Sequence, residues 1–464
     1  MLLFGMKKHS DADLLDDAAR RGIRYREMIL QRRVAPTSEA LAALNQLDGP
    51  LPESGRDPRE IIERLDHIGS PATVANASGR FFGFVNGGSF PVTVASNWLA
   101  TAWDQNCALH VMSPAGATLE AVALKWTLDV LRLPANAAGA FVVGATMANF
   151  TAMAAARHAV LARVGWDVDN DGLFGAPPIT VVVGQEVHTT LRRVLGLLGL
   201  GRARVVVVPV DGQGRIRADS LPRIDGPSIV CIQAGNVNTG AFDPATEICA
   251  WAKAAGAWVH VDGAFGLWAR AAPSLASQVE GYELADSWAT DAHKWLNVPY
   301  DCGIAMVRDE TALRSALTMT AAYLPPSGVR DPMSYSPDGS RRARGVDVWA
   351  ALEFLGRSGV AELVERCCRH ASRMAAELAA AGHEVLNHVA LNQVLVAFGD
   401  DATTNRVIAG VQADGVCWCG GTRWQGRDAM RISVSSWATT DQDVEASLAS
   451  ILSTYSRLAT VGGA

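Results

Sequence analysis

Between residues 140 and 307 the chain repeats one pattern. Short apolar runs stand at AFVV (140–143), ITVVV (179–183), RVVVVP (204–209), SIVCIQ (228–233), AWVHVD (257–262) and GIAMV (303–307), each bounded by Gly, Pro or Asp. Unbroken runs of this length read as strands buried on both faces. Helical stretches separate them, so the pattern predicts an α/β fold with a mostly parallel central sheet. Ligands of such sheets sit beyond the carboxyl ends of the strands. Outside this block the periodicity changes. Leu14, Leu15, Ala18, Ala19, Ile23, Met28 and Ile29 recur at near-helical spacing, as do Leu41, Leu44 and Leu47 behind the cap-like Thr37-Ser38-Glu39. The segment GPLPESGRDP (49–58) reads as a linker. Residues 345–381 are helical again, and the runs HEVLN, NQVLVAF, GVCWCG and AMRISVS then alternate with helical segments as in a small α+β domain.

These patterns divide the chain into a helical arm over 1–75, a large α/β domain over 76–344 and a small α+β domain over 345–464. The large domain closes with a Pro/Gly/Ser-rich stretch, 318–344; loops of that length are usually functional lids or disordered. An amphipathic arm far from any core needs a partner surface, which points to a homodimer.

Composition narrows the function. With 49% hydrophobic and 19% charged residues in 464, the chain is globular, not disordered. Its 41 basic and 47 acidic residues leave a net charge of −6, without general attraction for nucleic acid. The densest basic run, Arg341, Arg342 and Arg344, reads as a solvated or ion-paired loop. The eight cysteines suit reduced, buried thiols of a cytoplasmic protein. Cys417 and Cys419 lack the second pair or the histidines that a metal site would need. The opening MLLFGMKKHSDADLL is not a secretory signal. Residues 133–156 carry no charge, but Pro134, Asn136 and Asn149 among small residues favour a buried strand–turn–helix over a membrane span.

The chemistry lies in four features at predicted strand ends: Asp262 ends AWVHVD, His188 follows ITVVV, the turn Gly144-Ala145-Thr146 follows AFVV, and Lys294 lies 32 residues beyond Asp262 in DAHKWLN. Singly, each has a plain alternative: a cap, a structural histidine, a common turn, a surface charge. Together they meet the needs of pyridoxal phosphate: an amine for the Schiff base, a carboxylate against the ring nitrogen, a ring to stack on the cofactor and a helix N-terminus for its phosphate.

The chain resembles the group II pyridoxal-phosphate-dependent amino-acid decarboxylases, the family of aromatic-L-amino-acid, glutamate and diaminobutyrate decarboxylases. The resemblance runs through SPAGATLE (113–120), VGATMANFTAM (143–153), EVHTTLRR (186–193), AGNVNTGAFDP (234–244), HVDGAFG (260–266), DAHKWLNVPYDCG (291–303) and RRARGVDVW (341–349). It implies the fold-type I architecture of pyridoxal-phosphate enzymes and a homodimer with sites between subunits. It further implies that Lys294 carries the cofactor, that Asp262 pairs with its ring nitrogen and His188 stacks on the ring. Ala145 and Thr146 would hold the phosphate, Ala264 would pack under the ring, and Asn236, Asp291 and His293 would contact the cofactor. Asn86 would stand on the substrate side, and Phe84 with Phe82 and Trp103 would permit an aromatic substrate. Two departures stand out. Met147 replaces an acidic residue frequent in the phosphate turn, and the loop tyrosine that protonates the substrate carbon is best matched by Tyr335, with Tyr323 as the fallback.

The implied activity is α-decarboxylation of an L-amino acid, aromatic favoured, to amine and carbon dioxide. The alternatives are an aldehyde synthase or an aminotransferase. Arg431, in AMRISVS, could clamp a carboxylate as aminotransferases do, although a structural ion pair in the small domain is the preferred reading.

Overall fold

The computed structural model describes residues 10–319 and 328–461. At its centre lies a seven-stranded sheet of β1 (Ala138–Val142), β2 (Thr180–Gly184), β3 (Val205–Val208), β4 (Ser228–Gln233), β5 (Trp258–Asp262), β6 (Ser287–Asp291) and β7 (Gly303–Val307). The order is β1-β7-β6-β5-β4-β2-β3. Neighbours from β6 to β3 are parallel, and β7 runs antiparallel to both β6 and β1.

The apolar runs alternate between two cores, as strand geometry requires. Val182, Val230, Val259, Val261, Ile304 and Met306 face one side, where the helices Pro114–Val130, Ala245–Ala254 and Gly345–Ala380 pack. Val181, Val183, Ile229, Cys231 and Trp258 face the other, under the helices Ala145–Ala162 and Thr189–Leu197. Two strands depart from the sequence pattern. β3 is an edge strand with Val206 and Val207 exposed, so its all-apolar run is not buried on both faces. β6, SWATD, has no apolar run at all, yet every residue in it is buried.

The antiparallel β7 sets the position of the site. Its first residue, Gly303, pairs with Asp291 at the end of β6 and with Val142 at the end of β1. The 292–302 connection is therefore held at the carboxyl edge of the parallel strands. The uncharged stretch 133–156 becomes β1, the Gly144 turn and the start of the helix Ala145–Ala162. Among the described residues no helix is long and apolar enough to cross a membrane.

The carboxyl-terminal part holds an antiparallel sheet in the order β10-β11-β9-β8, built from β8 (Glu384–Val385), β9 (Gln393–Ala397), β10 (Gly420–Trp424) and β11 (Arg427–Ser433). Residues 80–82 join its strands: Phe82 donates its N–H to the Trp418 carbonyl, and Ser433 donates to the Phe82 carbonyl. The chain just after the expected boundary at 76 thus packs with the carboxyl-terminal sheet. It continues to Gly87 and Gly88, which lie directly on the Lys294–Asn297 turn. The Asn297 amide oxygen accepts from the N–H groups of Gly88 (2.5 Å) and Trp437 (3.0 Å), and its amide nitrogen donates to the carbonyls of Trp295 and Ser435.

Gly303 tolerates no side chain, because a Cβ there would lie 2.5 Å from Gly144 Cα. Gly303→Ala should destabilise the fold by about 1–3 kcal/mol, the usual cost of overpacking. It should also displace the Gly144 turn. Denaturant midpoints against wild type measure the first effect, and cofactor retention the second.

Candidate active site

Asp262 closes β5 and Asp291 closes β6, and the two strands are parallel neighbours, so both carboxylates emerge on one edge. Lys294 turns back over that edge, with Nζ 3.1 Å from Asp291 Oδ2. Asp291 is 3% exposed, and its Oδ1 has no hydrogen-bond partner among the described residues. Both partners of a shielded charge pair must be kept, since removing either strands the other.

Asp262 is fully buried, and burial raises its pKa above the ordinary carboxylate value. The Lys294 ammonium and an Asn149 amide donor oppose that rise, as does any positive charge on His188. His188 is the N-cap of the helix Thr189–Leu197; its Nδ1 accepts the Thr190 N–H, so its other nitrogen carries the proton of the neutral ring. Burial lowers its pKa, despite the opposing charge of Asp262, and keeps the ring neutral at pH 7. His293 is held the same way: Nδ1 accepts the Cys302 N–H at 3.1 Å, leaving Nε2 as donor, and burial lowers its pKa.

Gly144 precedes the helix Ala145–Ala162, which has no side-chain cap and no acidic residue in its first turn. Its free N–H groups and the positive end of the helix dipole form an anion site facing the same space. The cavity encloses ≈ 330 Å³, within the range of small-molecule sites. Ala145, Thr146, His188, Asp262, Ala264, Asp291, His293 and Lys294 all line it, as do Met147, Thr190, Gln233, Val237 and Phe265.

Six expected residues lie outside this lining. The Asn236 side chain is turned into its own loop, where its oxygen accepts from the N–H groups of Asn238 and Thr239; it shapes the turn that brings Gly235 and Val237 to the cavity. Asn86 accepts from the Tyr300 hydroxyl at 2.8 Å beside the lysine turn, and the Tyr300 ring stacks 4.3 Å from His293. Phe84 is exposed and stacks on Trp418, while Phe82 is core and Trp103 is exposed. Tyr335 is buried under Arg330, and its hydroxyl donates to Glu310 at 2.6 Å. Within this subunit that bond turns Tyr335 away from the cavity, whose lining it does not join. Tyr323 lies outside the described residues.

Arg431 also differs from expectation. It projects from β11, half-buried, with no ion pair among the described residues; its nearest acceptors are the Val237 carbonyl at 3.4 Å and the Asn238 side-chain oxygen at 3.5 Å. The preferred reading of a structural ion pair is therefore set aside. Gln233 and Thr190 were not anticipated. Gln233 carries the same signal as Asp262, the last residue of an apolar strand, with an amide in place of the carboxylate.

Known proteins match this arrangement. The model of the pyridoxal-dependent decarboxylase conserved domain matches residues 41–399. An aromatic-L-amino-acid decarboxylase of Bacillus atrophaeus is 27% identical over 353 residues, covering 72% of this chain and 70% of that protein. An L-2,4-diaminobutyrate decarboxylase of Acinetobacter baumannii is 26% identical over 292 residues, covering 58% of this chain and 56% of that protein. The crystal structure of Oryza sativa TDC with PLP and tryptamine superposes with a TM-score of 0.90 at 21% identity, over 98% of this chain and 100% of that one. The fold is therefore that of the pyridoxal-phosphate decarboxylases, and the chain belongs to the pyridoxal-dependent decarboxylase family, enzymes that use pyridoxal phosphate to release carbon dioxide from amino acids.

Proposed function

We propose that the chain decarboxylates an L-amino acid with an aromatic side chain to the amine, with Lys294, Asp262 and His188 at the centre of the site. The observation that carries this is the gathering of eight separately predicted residues around one cavity at the strand ends. Their donor set fits pyridoxal phosphate: one amine, a buried carboxylate, a neutral imidazole and a helix N-terminus.

When bound, the cofactor supplies an electron sink for the pair left behind as the bond between the α-carbon and its carboxylate breaks. Lys294 is the one lysine lining the cavity and is the attachment point. Asp262 would accept a hydrogen bond from the cofactor's ring nitrogen and hold a proton there. The neutral His188 ring, which lines the cavity, would stack on the bound ring without adding a competing charge. The first-turn N–H groups from Ala145 onward, with His293 Nε2–H, would hold the phosphate, and the Ala264 methyl would leave room for the ring. Arg431, with no ion pair among the described residues, stands beside Val237 of the cavity lining as a cation that a substrate carboxylate could meet.

The aromatic preference is supported by the apolar lining of Val143, Met147, Val237 and Phe265, and by the names of the Bacillus relative and of the rice protein's ligand. The homodimer is supported by the amino-terminal helices. Leu15 is 67% exposed, Met28 54% and Leu41 49%, an apolar set that a second subunit would cover.

Lys294→Ala should abolish the visible absorbance of the bound cofactor and all turnover while leaving far-UV circular dichroism unchanged; retained turnover would refute the attachment point. Asp262→Ala should weaken cofactor binding and lower kcat by about 10²-fold or more, as for loss of a group that stabilises developing charge. In a panel scored for carbon dioxide, amine and aldehyde, aromatic L-amino acids should give carbon dioxide and amine, and L-glutamate should not react. Turnover confined to acidic or diamino acids would overturn the substrate class, and aldehyde as main product would overturn the product. Light scattering should give twice the chain mass, and an active monomer would contradict the dimer.

A further inference from the structure

Behind Asp262 lies a buried polar chain that the reaction scheme above does not use. On β5, Trp258, His260 and Asp262 occupy alternate positions, so all three face the helix Ala145–Ala162, while Val259 and Val261 face the opposite core. Asn149 projects from that helix between two of them. Its amide nitrogen donates to Asp262 Oδ2 at 3.2 Å, and its oxygen lies 2.8 Å from His260 Nε2. The other ring nitrogen, Nδ1, lies 2.9 Å from Ser287 Oγ, which also accepts from Trp258 Nε1 at 2.9 Å. His260, Asn149 and Ser287 are each fully buried.

Donor and acceptor arithmetic then fixes one sense for the whole chain. An ionised Asp262 can only accept, so Asn149 must offer its NH₂. The Asn149 oxygen then faces His260, so Nε2 must carry the hydrogen. A neutral imidazole donates once, so Nδ1 accepts and the Ser287 hydroxyl must donate to it. Burial pushes the His260 pKa down to about 3, so the ring has no second proton to break this order. Only with a proton on the Oδ2 of Asp262 that faces Asn149 would each hydrogen point the other way and His260 carry its proton on Nδ1.

We infer that His260 and Asn149 are positioning residues, a one-way hydrogen-bond chain that keeps the Asp262 carboxylate ionised and aimed at the cofactor's ring nitrogen. The inference rests on the role proposed for Asp262 and goes beyond it. A merely structural histidine would be served by either tautomer; this one needs Nε2–H.

Two measurements test it. In the first, ¹⁵N-histidine NMR of the wild-type holoenzyme should show His260 neutral and protonated on Nε2 throughout the pH range of stability. A ring protonated on Nδ1 would overturn the inference without the use of any variant. In the second, apoprotein is titrated with pyridoxal 5′-phosphate. His260→Leu, which removes the donor, should raise the dissociation constant by about tenfold or more, the cost of leaving the buried Asn149 oxygen unpaired. It should also lower kcat with little change in KM. His260→Gln, whose amide can donate from the Nε2 position, should recover most of that loss. Equal defects in the two variants, or wild-type binding by His260→Leu, would overturn the inference. Asp262→Ala run alongside separates the two layers: a defect there with none in His260→Leu leaves the role of Asp262 standing and removes the positioning chain. Wild-type binding by Asp262→Ala removes both.

Discussion

An ammonium group 3.1 Å from a carboxylate that is 3% exposed is the interaction around which the molecule is arranged. Charges removed from water must find partners in the protein or lose their charge. The fold brings them together by topology: parallel β5 and β6 end side by side, and the reversed β7 returns the chain so that the lysine lies over both ends. A wholly parallel sheet would need a longer crossover at this point, and the lysine would not be tethered three residues from its carboxylate.

Neutral histidines are the counterpart of that charge pair. His188, His260 and His293 are all kept from protonation chiefly by burial. Each is fixed in orientation by a bond at Nδ1, from a backbone N–H for His188 and His293 and from a serine hydroxyl for His260. The site thus sets precise donors around the carboxylates without adding positive charge, which would compete with the cationic groups the carboxylates are there to bind.

What the sequence made legible followed from burial. Five of the six apolar runs are strands with at most one end residue short of full burial, and the exception, β3, is an edge strand whose neighbours in space, not its residues, decide its exposure. β6 was hidden because its burial serves polar side chains: Ser287 completes a hydrogen-bonded chain and Asp291 holds the lysine. Strand ends marked Asp262 and His188 for the same reason that they mark ligand sites generally. The loop residues were harder. Asn236 and Tyr335 stand in the expected segments, yet local bonds, to their own turn in one case and to Glu310 in the other, decide where their side chains point. No pattern along the chain encodes that choice.

The contact of Gly87 and Gly88 with the lysine turn carries a mechanical consequence. A Cβ on Gly87 would come within 1.8 Å of the Lys294 carbonyl oxygen, so the two backbones touch with nothing between them. Asn297 rivets the same turn to Gly88, Ser435 and Trp437. Close-packed interiors transmit displacement instead of absorbing it. The carboxyl-terminal sheet cannot swing outward as a jaw without dragging the Lys294 peptide with it. Any displacement of the carboxyl-terminal sheet is therefore passed on to the backbone of the residue that lines the cavity at Lys294.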